Sequence, residues 1–126
     1  MAYILHLVSA DYFRSLPSDV PYLPHGFEDD GFIHCATGSD SVLQVANAFY
    51  RNAPGEFCVL VIDEDKLAAQ VKYEPPAPVA GGVPDAADVR LYPHIYGPLH
   101  RDAIVDVVGV RRAPDGTFTG FARALD

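Results

Sequence analysis

The chain has 126 residues, enough for one domain with its own hydrophobic core. Nine Lys and Arg against 17 Asp and Glu leave a net charge of −8, which argues against nucleic acid, DNA included, or an anionic membrane surface as the main partner. The 2 cysteines, Cys35 and Cys58, lie in apolar segments with no Cys-x-x-Cys spacing, so they read as reduced, buried thiols, and a zinc knuckle or thioredoxin motif is excluded.

Tyr3–Val8 is apolar except for His6 and predicts a central strand covered on both faces. The run is too short to span a bilayer and lacks a basic flank and a cleavage site, so a cytoplasmic protein is expected. Ser9 can cap a helix over Ala10–Leu16. Pro17, Pro21 and Pro24 then break regular structure up to Phe27 and predict an extended surface loop.

Gly31–Cys35 predicts a second strand, with Phe32 and His34 on one face and Ile33 and Cys35 on the other. Val42, Leu43, Val45, Ala46, Phe49 and Tyr50 have helical spacing. Two signals compete to start that helix: Thr37 with Asp40, and Ser41 with Gln44. Phe57–Ile62 predicts another central strand, and Asp63–Ala68 at most a short helix. Val71–Glu74 predicts a brief strand, and Pro75–Asp88 a long loop that is either a lid or a surface insertion. Ala103–Val110 predicts a strand, and Pro114-Asp115-Gly116 a turn into a returning edge strand over Thr117–Ala122. With no linker or internal repeat, residues 1–126 read as a single α+β domain of about five or six strands and two or three helices.

Two segments concentrate the polar chemistry: Asp30-Gly31-Phe32-Ile33-His34-Cys35-Ala36-Thr37 and Tyr92-Pro93-His94-Ile95-Tyr96-Gly97-Pro98-Leu99. His34 precedes a helix start whose free backbone N–H groups suit a phosphate, with Thr37, Ser39 and Ser41 as hydroxyl donors. A plain helix cap explains the same residues. His94 and Tyr96 are two residues apart and point the same way in an extended chain. They serve either as acid/base and hydrogen-bonding groups or as packed core rings. His6 is either a buried core histidine or a third member of the site. A metal site of His6, His34 and His94, with Asp30 or Glu74, is arithmetically open but lacks a local spacing motif. Cys35 beside a histidine is a formal nucleophile. His25 and His100 read as solvated loop residues.

The two histidine segments resemble the signature motifs of a bacterial domain-of-unknown-function family, number 952. The likeness runs over nearly the whole chain, taking in His6, Val45-Ala46-Asn47, Val59–Asp63 and Lys72-Tyr73-Glu74-Pro75. It implies the split antiparallel sheet of the ADP-ribosyltransferases and RNA 2'-phosphotransferases. It also implies NAD or a related nucleotide as ligand, a small phosphate-containing partner and group transfer at a ribose or phosphate. On that basis His34, His94 and Tyr96 are the expected catalytic residues, and His6, Cys35, Thr37 and Ser39 the expected cofactor-binding residues. No metal is expected. A non-catalytic ligand-binding or regulatory module and a histidine-ligated metal protein are the alternatives. The superfamily's third motif carries a glutamate, whereas Tyr92–Leu99 contains no acidic residue; Glu74, Asp102 and Asp106 all lie outside it.

Overall fold

The computed structural model describes residues 3–75, 91–123 and 125. The predicted loop over Pro75–Asp88 falls, after Pro75, outside them.

Strand β1 (Tyr3–Ser9) leads into helix α1 (Ala10–Ser15), where Ser9 Oγ accepts from the Tyr12 N–H as the sequence predicts. One helical turn, α2 (Phe27–Asp30), closes the proline-rich segment; four residues are too few to show a helical period. Strand β2 (Ile33–His34) is shorter than predicted. Helix α3 (Ser39–Phe49) follows, then β3 (Phe57–Asp63), a 3₁₀ turn over Glu64–Lys66 and β4 (Gln70–Glu74). After β5 (Tyr92–Tyr96) come a second 3₁₀ turn (Arg101–Ala103), β6 (Ile104–Arg112) and β7 (Phe118–Phe121). The fold is therefore α+β, with seven strands and three α-helices among the described residues.

Neither competing cap signal starts α3. Gly38 is the N-cap, at φ 84°, and no side chain caps the helix. That left-handed φ favours glycine and turns the chain directly into the helix, leaving Thr37 exposed.

The strands form two antiparallel sheets, ordered β1-β3-β6-β7 and β2-β5-β4. All seven residues of β3 are buried. Cys58, Leu60 and Ile62 pack on one side with Ile4, Ile33 and Ile95, while Val59 and Val61 pack on the other with Leu5 and Val42 of α3. Strand β1 ends its sheet rather than running through the middle. A continuous apolar run reports burial of both faces, not place in the strand order. The two sheets meet where Leu5 and Ala36 exchange backbone bonds of 2.8 and 2.7 Å. No helix among the described residues is long and apolar enough to cross a membrane.

Arg112, at the end of β6, gathers the segment after α3. Its guanidinium donates to the carbonyls of Ala53, Gly55, Arg51, Tyr50 and Gly116 and lies 4.3 Å over the Phe118 ring. Gly116 is fixed in the same cluster: a Cβ there would stand 2.3 Å from the Arg51 carbonyl oxygen. A planar fork with five donors does what an ammonium cannot. Arg112→Ala is expected to lower unfolding free energy by about 2–4 kcal/mol in urea titration, with Arg112→Lys recovering less than half.

Candidate functional site

The histidine-bearing face belongs to the β2-β5-β4 sheet. His34 pairs with His94, His94 with Lys72, and Tyr92 with Glu74. Alternation along the strands therefore puts His34, Lys72, Glu74, Tyr92, His94 and Tyr96 on one face. The opposite face carries Ile33 and Ile95 into the core. Parity along each strand is legible in the residues, whereas the register is not, and the register brings Glu74 to the histidine.

Glu74 brings a carboxylate to a segment, Tyr92–Leu99, that has no acid of its own. Its Oε1 accepts from His94 Nδ1 at 2.8 Å and from the Tyr96 hydroxyl at 2.6 Å. The bonds from Tyr96 and then His94 hold its carboxyl below the usual carboxylate range, and the same carboxylate pushes the Tyr96 phenol up. His94 is 3% exposed. Burial lowers its pKa below the ordinary imidazole value, and the bond to Glu74 only partly opposes that. His94 is thus a neutral imidazole at neutral pH. Its proton lies on Nδ1, facing the carboxylate, and Nε2 keeps the lone pair. Among the described residues nothing bonds Nε2.

Phe32 stacks on His94, with ring centroids 4.2 Å apart and planes 23° from parallel, and also touches His34 and Tyr96. Lys72 Nζ lies 4.7 Å over the Tyr96 ring. A second histidine–carboxylate pair stands beside the first. His34 Nε2 is 2.9 Å from Asp30 Oδ2, and the His34 and His94 rings are 5.6 Å apart. Helix α2 makes this possible: Gly31, in the left-handed conformation, ends it so that Asp30 reaches back to His34.

His6 has a different part. Its Nδ1 lies 2.6 Å from the His34 carbonyl oxygen, which only accepts, so Nδ1 carries the proton. Its Nε2 then accepts from the Tyr22 hydroxyl at 2.7 Å. Burial lowers the His6 pKa to about 4 and pushes the Tyr22 phenol up, consistent with a neutral pair. Tyr22 is held in turn by two backbone bonds to Leu99, of 2.7 and 3.0 Å. Both nitrogens of His6 are spent on the protein. A three-histidine metal site therefore lacks one of its ligands.

His6, His34 and His94 all line one cavity of about 800 Å³, together with Cys35, Asp30, Tyr22 and apolar residues of β1 and α3. Burial pushes the Cys35 thiol up and keeps it protonated, which removes the thiolate a nucleophile needs. Thr37 and Ser39 stand at the start of α3, outside the cavity lining, and Tyr96 reaches the site through Glu74. His25 is at the rim, against Tyr12. Reading the sequence passed over Tyr22 and Phe32 as site residues. Phe32 shares its face with His34, and that alternation was a usable signal; Tyr22 lies among prolines and carries none.

The family model described as Protein of unknown function (DUF952) matches residues 7–107. Two solved structures are similar over 93% of either chain, with a TM-score of 0.71 and 19% identity: protein CC0527 from Caulobacter crescentus and a double mutant of it. At that identity the likeness shows the fold alone. No curated protein matches the chain.

Protonation of His6 sets a pH dependence. The unfolded chain takes up this proton near the ordinary 6.5 and the fold near about 4, so between those values the unfolded state binds more protons and stability rises with pH. His94, also lowered, acts in the same direction. Urea unfolding is expected to lose on the order of 3 kcal/mol between neutral pH and about pH 4. A flat profile over that interval contradicts the assignment. Tyr22→Phe leaves His6 Nε2 without its donor and is expected to cost about 1–2 kcal/mol at neutral pH.

Proposed function

The chain belongs to the DUF952 family, whose description assigns no function, and we propose that it binds a small molecule in the histidine-lined cavity, with His94 Nε2 as the acceptor for a ligand O–H or N–H. The observation that carries this reading is the Glu74–His94 pair: an ionised carboxylate fixing the tautomer of a neutral, buried imidazole. Fixing one nitrogen with a carboxylate leaves the other as a directed base, able to accept a hydrogen bond or take a proton. The apolar walls supply affinity, and the few polar groups supply orientation.

The resemblance to ADP-ribosyltransferases adds a finer reading. NAD or ADP-ribose would occupy the same cavity, with His94 or His34 as acid/base in group transfer and Tyr96 acting through Glu74. The family membership and the split arrangement of two antiparallel sheets support it as far as fold goes. A binding module without turnover uses the same residues.

Naphthalene-sized probes test the acceptor directly by calorimetry. The expected result is that 1-naphthol binds one-to-one and about tenfold tighter than 1-methylnaphthalene, a difference of about 1.4 kcal/mol for one hydrogen bond. His94→Leu is expected to abolish the difference while both probes still bind. Equal affinities in the unaltered protein, or no saturable binding of either probe, overturn the proposal. NAD, ADP-ribose and ADP titrated alongside report on the nucleotide reading.

A further inference from the structure

The charge around the cavity narrows what can enter it. The chain carries 9 Lys and Arg. Among the described residues none of them lines the cavity. Of the six described arginines, Arg111 is exposed on β6 and the other five are committed elsewhere. Arg14 pairs with Asp11 and Glu56, Arg51 with Asp115 and Arg123 with Asp106. Arg101 donates to the carbonyls of Val20 and Pro17, and Arg112 to those after α3. Lys72 sits over Tyr96, which is not part of the lining.

What does line the cavity is of the opposite character. Asp29 and Asp30 stand together on α2. Tyr12 and Tyr50 present aromatic surface to the same space. His94 offers a lone pair from a side chain almost wholly buried. An anionic headgroup meets the Asp29 carboxylate, an Asp30 carboxylate that already bonds His34, and a hydrogen-bond acceptor, with no Lys or Arg among the described lining residues to offset them. A cation meets carboxylates, ring faces and that same acceptor.

Resting on the reading that this cavity holds a small ligand, we infer that the ligand is an organic amine in its cationic form, carried on an aromatic or apolar body. The ammonium N–H groups donate to His94 Nε2 and face the Asp29 and Asp30 carboxylates, while the body packs against β1 and α3. Polyanions are disfavoured by the same lining, so on this inference the cavity does not take NAD or ADP-ribose, and the amine stands against the finer nucleotide reading.

A matched series on one ring system tests this: 1-naphthylmethylamine, 1-naphthol and 1-naphthoic acid, titrated by calorimetry at pH 8 and low salt, where ordinary imidazoles are neutral. The expected order is amine, then naphthol, then acid, with at least thirtyfold between the ends. Added salt is expected to shrink that interval, because the carboxylates lie toward solvent. Asp29→Asn, a change on an exposed residue, is expected to weaken the amine severalfold and leave naphthol unchanged. The inference is overturned if the acid binds as tightly as the amine, or if the preference is indifferent to both salt and Asp29→Asn. Naphthol separates the two levels: naphthol binding with no amine preference defeats the charge class alone, whereas failure of all three probes to bind defeats the ligand cavity itself.

Discussion

One buried imidazole holds the site together. His6 reaches from β1 to the His34 carbonyl with one nitrogen and to the Tyr22 hydroxyl with the other, so a single ring joins the opening strand, the second sheet and the proline-rich segment. The Leu5–Ala36 bonds seam the sheets one residue away, and Leu99 clamps Tyr22 from the other side. A neutral ring is the condition for all of this, because an imidazolium has no lone pair to accept from Tyr22. Burial enforces that condition. His6 therefore shapes the cavity rather than acting in it.

The two other histidines inherit a fixed frame. The His34 carbonyl belongs to the His6 link, and its ring turns to Asp30. His94 lies opposite His34 in the ladder and turns to Glu74. Two carboxylates thus orient two imidazoles on one sheet face, and Phe32 wedges against both rings. Of the four histidines in the lining, His94 combines near-complete burial with a nitrogen that nothing else in the described structure uses. The chemistry of the site follows from this asymmetry.

Local signals were legible where the backbone needs only its neighbours. Ser9 caps α1, the apolar run of β3 is buried along its length, and Pro114-Asp115-Gly116 turns β6 into β7. The helix α3 was legible by its spacing but not by its start, since Gly38 displaces two plausible side-chain caps. The motif histidines pointed to the cavity. Their partners did not, because Glu74 is separated from His94 by residues 75–93 and is brought back only by the register of β4 against β5. Tyr22 is hidden for a similar reason: its burial depends on a bridge to Leu99, far along the chain. An acid absent from a motif in sequence was present at the motif in space.

The tautomer of His94 decides whether Glu74 has given this protein a directed acceptor. Long-range ¹H–¹⁵N spectra of the imidazoles at neutral pH read it without any ligand. The account requires a neutral His94 with its proton on Nδ1 and a bare Nε2. A proton on Nε2, or a doubly protonated ring at that pH, would contradict it.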